Sequence, residues 1–394
     1  MTNKRTSPQA PKRRLSWNDP SVRSWIYQVL ILGIVGFAIW YLVSNTLHNL
    51  AVRNISTGFD FLDREAGFAI GESSIAYSPA DTYGRAIWVG ILNTLRVSIL
   101  GIVAATILGT ILGIARLSKN WLLSRVASAY IEVMRNVPLL LQLFFWYAII
   151  TESMPGPRDA LKPLPGVFIS NRGLKLPGVH GDALDWMIGG LGLAIVAIVL
   201  CAHWARKRQE ATGQIFPLFR VAAGLIIVLP LAGWLVSGGS LALDMPVLKG
   251  FNFAGGITLS PEFAALLAGL IIYTSAFVAE VVRSGIQSVN QGQWEAAGAI
   301  GLSRARMLRL VILPQALRVI VPPMTSQYLN LTKNSSLAVA IGYPDIVSVV
   351  NTTLNQTGQA IEGILIIMAA YLTVSLSISI FMNWYNKRIA LVER

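Results

Sequence analysis

Long uncharged runs dominate the pattern of apolar and polar positions along this chain. Residues 25–43 carry no charge over 19 positions, and residues 364–385 carry none over 22. Because a helix needs about 20 apolar residues to cross roughly 30 Å of hydrocarbon, each run predicts a transmembrane helix. The same pattern predicts six further spans, at residues 87–114, 127–149, 187–202, 221–236, 263–279 and 322–342, with a partly buried segment after the last of them. We therefore expect an all-α integral membrane protein with about eight transmembrane helices.

Composition and charge agree with that class. Only 13% of the 394 residues are charged, whereas a soluble protein carries about 25%. The net charge of +13 does not indicate nucleic acid, because the basic residues lie between apolar runs rather than along one face. With both termini inside, the predicted cytoplasmic segments hold 22 of the 32 lysines and arginines and the outer segments hold 8. This asymmetry predicts cytoplasmic N- and C-termini.

The sequence offers little material for catalysis or metal binding. The one cysteine, Cys201, lies inside an apolar run and is expected to be a packing residue. Histidines are scattered without metal-ligand spacing, at His48, His180 and His203. No G-x-x-x-x-G-K-[ST] phosphate loop occurs, so the chain is not expected to hydrolyse ATP. We expect neither a cofactor nor a metal.

A stripe of small residues marks the second predicted span. Ala105, Gly109 and Gly113 recur at four-residue spacing. Small residues at this spacing allow a second helix to approach closely, so we expect tight packing there. In the span over 221–236, Pro230 is expected to kink or weaken the helix.

A strongly patterned polar stretch interrupts the apolar runs at residues 293–315, QWEAAGAIGLSRARMLRLVILPQ. Charge asymmetry assigns it to the cytoplasm, in a loop longer than a connector requires. Gly301 can end a first helix in the left-handed conformation, Ser303 can cap a second helix over 303–312, and Pro314 limits or bends that helix. A helix pair held by two spans can dock a partner and transmit a push, or it can rest on anionic lipid through its arginines. The pattern alone leaves both functions open.

A resemblance decides between them. EAAGAIG, nine residues and then VILP resembles the EAA signature of permease subunits of ABC importers, with Val311 in the usual isoleucine position. The polar amino-acid branch of that family resembles the chain at AEVVRSGIQSVNQGQWEAA, LPQALRVIVPP, KNSSLAVAIG and YIEVMRNVPLLLQLFFWY. That branch typically has a basic residue where this chain has Gly298. The resemblance covers residues 86–150 and 260–386, and the additional spans resemble the general L-amino-acid subgroup of Gram-negative bacteria.

The resemblance implies a type I ABC importer permease core of five helices, plus an extra N-terminal helix and an inserted helix pair. The implied segments are a cytoplasmic basic tail (1–23), the extra helix (24–45), a periplasmic segment (46–85), the first part of the core (86–150), the inserted loops and helix pair (151–261), the second part of the core (262–386) with a cytoplasmic coupling loop (285–318), and a cytoplasmic C-terminus (387–394).

The same resemblance implies a non-catalytic subunit of the bacterial inner membrane that takes up L-amino acids by alternating access. Its implied partners are a dimer of ATP-binding cassette subunits, a second and related permease chain, a periplasmic amino-acid-binding protein and membrane lipids, without nucleic acid. Glu295 would meet a basic group on the ATPase, and Gly301 would form the turn. The full set implied for coupling is Glu295, Ala296, Ala297, Gly301, Leu302 and Pro314.

The substrate path is sought among charges near spans, because such charges are rare and often functional. An amino acid needs a donor for its carboxylate and an acceptor for its ammonium group. Candidates are Arg96, Glu132, Arg135, Glu280 and Lys333. For all of them except Lys333 a structural function is favoured: Glu132 can pair with Arg135, Glu280 with Arg283, and Arg96 can extend to the membrane surface. For Lys333 the two functions are equally open. Our hypothesis for the path is the set Gln142, Lys333, Asn334, Ser335 and Ser336.

Three alternatives remain at this point. The cargo can be another small polar solute. A stand-alone secondary transporter or channel is a rival class, although the repeat symmetry between halves that it should have is not visible in the sequence. A membrane anchor or scaffold is a third reading, but it needs no polar groups within its spans.

Overall fold

The computed structural model describes residues 20–52, 57–180, 182–214, 216–238 and 242–389. Residues 1–19 and 390–394 of the two predicted tails lie outside this range. The described part is mostly helical, which confirms the predicted fold class. Its helices are α1 (Pro20–Val52), α2 (Tyr83–Arg116), α3 (Trp121–Asn136), α4 (Leu139–Ala148), α5 (Asp182–Thr212), α6 (Leu218–Val236), α7 (Pro261–Gln287), α8 (Gln291–Ala299), α9 (Arg304–Met307), α10 (Leu313–Asn334), α11 (Ile346–Thr357) and α12 (Ala360–Ile389).

Six stretches of the described chain are long and apolar enough to cross a membrane, and the number rises to seven if a bent helix pair forms one span. The six lie in α1, α2, α5, α7, residues 304–341 and α12. The predicted count of about eight is not confirmed, because the apolar part of α6 covers only Arg220–Val236. Pro230 lies inside α6. The multi-pass character is nevertheless clear.

The third predicted span, 127–149, is not one helix. It is broken between α3 and α4, which meet at a bend of 105°. Val137 adopts an extended conformation before Pro138, as residues before proline prefer. The buried Gln142 amide then donates to the carbonyls of Met134 and Val137, each at 3.0 Å. The amide thus satisfies carbonyls that the end of α3 leaves without helical partners.

The core is built around the contact between α2 and α7. A Cβ on Gly109 would lie 2.6 Å from the Val278 side chain, and one on Gly113 would lie 2.7 Å from the carbonyl of Ala279. The predicted small-residue stripe therefore does bring two helices into close contact. Around this contact lies the largest buried cluster, which also takes in residues of α4, α10 and the turn after α10.

The seventh predicted span begins nine residues earlier than expected. α10 starts at Leu313 rather than near 322 and contains both Pro322 and Pro323, and a 3₁₀ turn continues it to Ile341. Prolines are tolerated in membrane helices because neighbouring groups satisfy the freed carbonyls. Gly342, at φ +79°, ends the turn, and α11 follows.

Residues 57–82, which we call the strap, pack over the end of the bundle where α2 and α7 begin. Phe61 and Ala66 are buried in a cluster with residues of α2 and α11. The backbone N–H of Gly58 donates to the Glu362 carboxylate at 2.8 Å, and the Gln359 amide donates to the Gly58 carbonyl at 3.2 Å. These bonds fix the first part of the strap to the start of α12.

The inserted region carries short strands that the sequence analysis did not predict. They are β1 (Leu161–Leu164), β2 (Val167–Ser170), β3 (Gly173–Leu176), β4 (Gly178–His180), β5 (Ala242–Asp244), β6 (Val247–Lys249), β7 (Asn252–Ala254) and β8 (Ile257–Leu259). The antiparallel sheets have the orders β1-β2-β3-β8, β4-β5 and β6-β7. Burial lowers the pKa of Lys175, whose ammonium group donates to the Thr258 hydroxyl between β3 and β8. Strands from both ends of the insertion thus meet beside the hairpin of α5 and α6.

Candidate functional site

The polar stretch at 293–315 begins with a capped helix that ends at a sharp turn. The Asn290 side chain accepts from the backbone of Gly292 at 2.8 Å and caps α8. At the other end, Leu302 N–H donates to the Ala297 carbonyl at 3.2 Å and Gly301 N–H to the Gly298 carbonyl at 2.9 Å. With Gly301 at φ +75°, this is the hydrogen-bond pattern of a Schellman motif. The predicted left-handed turn at Gly301 is therefore present.

One side of α8 packs on this chain and the other is exposed. Ala297 is only 3% exposed, and Trp294 packs on the cluster formed by the ends of α7 and α10. Glu295 and Ala296 are exposed, and Ile300 is 75% exposed. Of the predicted coupling residues, Glu295, Ala296, Gly301 and Pro314 thus lie on the accessible surface. Ala297 is buried, and Leu302 is half-buried.

The second part of the loop differs from the predicted helix over 303–312. The Ser303 hydroxyl makes no capping hydrogen bond, and α9 is only one turn long. A π-helical turn over Leu308–Ile312 joins it directly to α10. Pro314 does not end a helix, because helical backbone runs from α9 through the π-helical turn into α10, and the turn with the missing proline N–H lies directly after that wider π-helical segment. The loop is therefore continuous with a membrane helix.

An ion-pair network lies near the ends of α2 and α7 at this side of the molecule. Arg116 pairs with Glu280 at 2.8 Å and with Glu132 at 3.7 Å, and Glu280 also pairs with Arg283. The Glu280–Arg283 pair was expected. A Glu132–Arg135 pair is not formed, since the Arg135 guanidinium instead lies 5.3 Å from the ring centroid of Phe277. The network ties α2 and α3 to α7 a short distance before α8.

The residues proposed for the substrate path do not all face the same way. Gln142 is buried in the α3–α4 break, and Ser335 is buried with its hydroxyl donating to the Thr332 carbonyl at 2.7 Å. Asn334 is half-buried. The Ser336 hydroxyl donates to the Lys333 carbonyl at 2.7 Å.

Lys333 belongs to a polar face of α10. Ser326, Asn330 and Lys333 are all exposed and follow one another at helical spacing. Within the described ranges Lys333 has no acidic partner. A lysine, an amide and a hydroxyl on a membrane helix are costly against lipid, so this face requires protein or water beside it. The sequence analysis did not identify Ser326 and Asn330, although their helical spacing before Lys333 would have indicated a shared polar face.

Arg96, a further candidate, does not simply extend to the membrane surface, because two other residues of the chain contact its guanidinium. Its guanidinium pairs with Glu72 of the strap at 2.8 Å and lies 4.4 Å from the ring centroid of Phe263. Sequence reasoning missed Glu72, because 24 residues separate the two in the chain and nothing in their spacing indicates a contact.

Comparison with known proteins gives relatives along nearly the whole chain. It is 52% identical over 386 residues to YhdX of Escherichia coli K12, covering 97% of this chain and 98% of that protein. It is 50% identical over 383 residues to the general L-amino acid transport system permease protein AapQ of Rhizobium johnstonii, covering 97% and 96%. It is 42% identical over 412 residues to the glutamate/glutamine/aspartate/asparagine transport system permease protein BztB of Rhodobacter capsulatus, covering 95% and 96%.

The family match includes the candidate site. Residues 100–391 match the family described as binding-protein-dependent transport system inner membrane component. This range takes in α8, the turn at Gly301, the exposed face of α10 and the ion-pair network. With the capped loop joined to two membrane helices and the relatives above, the chain belongs to the family of binding-protein-dependent transport system inner membrane components, the permease subunits of ABC importers.

Proposed function

We propose that this chain is the permease subunit of an ABC importer for L-amino acids, in which α8 and its turn receive the force of ATP hydrolysis from separate ATPase subunits. The observation that carries the proposal is the exposed surface of α8, with Glu295, Ala296 and Ile300 accessible on a short helix. The helix is fixed at both ends, by α7 on one side and by α9 and α10 on the other. A push on α8 is therefore transmitted to two membrane helices, which is how closure of the ATPases would switch access across the membrane.

The site residues divide into two groups in this proposal. Glu295, Ala296 and Gly301 face the ATPase, and Glu295 meets a basic group there. Ala297 and Leu302 hold α8 and the turn in position from within the chain, and Pro314 lies exposed where the loop joins α10.

Amino acids are the proposed cargo because AapQ, which is 50% identical along 97% of this chain, is named a general L-amino acid permease. The polar face of α10 borders the proposed path, with Lys333 as the donor for the carboxylate and Asn334 and Ser336 beside it. Gln142 and Ser335 form part of the wall of the path, and the side chain of each is held in place by donating to a backbone carbonyl. The path would be closed by a second, related permease chain that covers the exposed face of α10.

The remaining parts of the proposal concern location. The chain would lie in the bacterial inner membrane with both termini in the cytoplasm, as the distribution of lysine and arginine predicts. The strap and the strands of the insertion would then be periplasmic, on the side from which a binding protein delivers the cargo. Coupling loop 285–318 would lie in the cytoplasm.

The test is reconstitution of the assembled importer. The chain is purified with its second permease, ATPase and binding protein, incorporated into liposomes and assayed for uptake of labelled L-amino acids with internal ATP. We expect uptake that requires ATP, the ATPase and the binding protein. Uptake of a different polar solute in place of amino acids would overturn the cargo. Uptake by this chain without an ATPase would overturn the permease function and would favour a secondary transporter.

A further inference from the structure

One residue of the strap joins three separate parts of the bundle. The Glu72 carboxylate pairs with Arg96 of α2 at 2.8 Å and accepts from the hydroxyl of Ser260, the residue that caps α7. The carbonyl of Glu72 accepts from the amide of Asn93 at 2.9 Å. The same Asn93 amide donates to the carbonyl of Pro344, just before α11, at 2.9 Å. Glu72 is therefore bound where α2, α7 and the turn before α11 meet.

The surroundings of the Glu72 carboxylate form an anion site. Arg96 supplies a positive charge, and the carboxylate also accepts from the hydroxyl of Ser260 at the N-terminus of α7, the positive end of a helix dipole. Phe263 covers one face of the guanidinium at 4.4 Å. Such a site recognises a carboxylate, and the strap places one there.

The site is accessible and incompletely used. Arg96 keeps 27% of its side chain exposed, whereas Glu72 keeps 10%. Beside them lies an open cavity of about 560 Å³ lined by Ser74, Leu92, Leu95, Arg96 and Ile99. A guanidinium has five N–H donors, and the Glu72 carboxylate accepts from one of its nitrogens, Nη1. The guanidinium therefore has further N–H groups that can donate to a carboxylate entering from the cavity as Glu72 is displaced.

We propose that Arg96 binds the carboxylate of the incoming solute before the solute reaches the path beside Lys333, and that Glu72 is an internal carboxylate that occupies this site in its absence. The inference rests on the proposed function in one respect, namely that the solute is an amino acid and carries an α-carboxylate. Exchange of one carboxylate for another keeps Arg96 paired, so it avoids the cost of an unpaired charge near the bundle core. It also releases the side-chain bonds from Glu72 to α2 and α7, which loosens the strap there, so that arrival of the solute favours a state in which this end of the bundle can open.

The first experiment measures binding to the assembled complex in detergent, without its binding protein. Two probes are compared: L-glutamine and L-glutaminamide, in which a neutral amide replaces the α-carboxylate. Glu72→Ala removes the internal competitor, so we expect L-glutamine to bind about tenfold tighter or more than to the wild type, since a hydrogen bond to a charged group is worth about 1.5–3 kcal/mol. L-glutaminamide should show no gain. Adding Arg96→Ala to Glu72→Ala should abolish the gain.

Matched controls separate a binding site from a structural ion pair. Asp81→Ala removes a partly exposed pair between Asp81 of the same strap and Arg85 of α2, together with the hydrogen bonds from Ser78, and should leave L-glutamine binding unchanged. The exchanged pair Glu72→Arg with Arg96→Glu keeps an ion pair and complex assembly, but it should lose L-glutamine affinity by tenfold or more. If Glu72→Ala binds L-glutamine no tighter than the wild type, or if the exchanged pair binds it normally, the ion pair is structural and the inference is wrong.

Uptake of labelled L-amino acids into liposomes tests the proposed function separately. ATP-dependent uptake of L-glutamine by the wild type, together with unchanged binding by Glu72→Ala, would refute the carboxylate site and leave the permease function intact. If the wild-type importer moves no amino acid, both proposals fall.

Discussion

Gly301 is the position at which the coupling loop depends most directly on backbone conformation. Its φ is +75°, and no neighbouring atom lies within 4 Å of the place a Cβ would occupy. A side chain there therefore meets no obstacle, and the whole cost of a substitution comes from the left-handed backbone. For an L-residue that cost is about 1–2 kcal/mol. It lowers the ratio of the native turn to other conformations by a factor of about 5–30.

A series of four substitutions tests this reasoning. Gly301→Asn should retain the most coupled transport, because asparagine adopts the left-handed conformation more readily than other residues. Gly301→Ala should retain less, and Gly301→Val the least, because a β-branched residue is a strong outlier at positive φ. Gly301→Asp, close to asparagine in shape, adds a negative charge on the surface proposed to face the ATPase. We expect it to uncouple transport more than Gly301→Asn does.

The assay is the number of solute molecules imported per ATP hydrolysed by the reconstituted complex. Thermal unfolding of the purified chain is the control, and it should change little, since the exposed turn supports no buried contact. Equal coupling in Gly301→Val and the wild type would refute the view that the shape of this turn transmits force. A large loss of thermal stability in Gly301→Ala would show that the turn has a structural function that the open space around it does not indicate.

Three further predictions follow from burial. Ala297→Leu should displace α8 from the rest of the chain and increase hydrogen exchange in α8, even without any ATPase. Ala296→Leu should weaken only association with the ATPase. Equal hydrogen exchange in the two variants would contradict the assignment of the buried and exposed faces of α8. Gly109→Leu should reduce the yield and thermal stability of the folded chain, since overpacking costs about 1–3 kcal/mol or more, and Gly33→Leu, where a Cβ meets nothing within 4 Å, should not. Lys333→Ala should abolish solute-stimulated ATP hydrolysis by the assembled complex while leaving assembly intact, and unchanged stimulation would remove Lys333 from the path.

Much of the helical architecture could be predicted because hydrocarbon imposes a simple rule. An uncharged run of sufficient length forms a helix in a membrane whatever its neighbours, since each backbone group must be satisfied within the segment. The runs at 25–43 and 364–385 therefore lie within α1 and α12. The turn at Gly301 was predictable for a related reason: glycine is the residue that ends a helix there at the lowest conformational cost.

Other elements could not be predicted because distant groups determine them. The break before Pro138 is stabilised by the Gln142 amide, which donates to two carbonyls at the end of α3. A hydropathy pattern does not indicate such a contact. The short strands form because segments from both ends of the insertion pair with each other, as β3 does with β8. α10 runs through Pro322 and Pro323 although proline disfavours helix interiors.

The sequence by itself determined the class of this protein, most of its membrane helices and the position of the helical loop proposed to receive force, because each depends on contiguous residues. The tertiary structure alone decided which side of each helix is buried within the chain and which side is exposed. It buried Ala297 while leaving Ala296 exposed, and it aligned Lys333 with Ser326 and Asn330 on one open face. It also placed Glu72 on Arg96, across 24 residues of chain, because only packing brings groups from separate segments within hydrogen-bond distance.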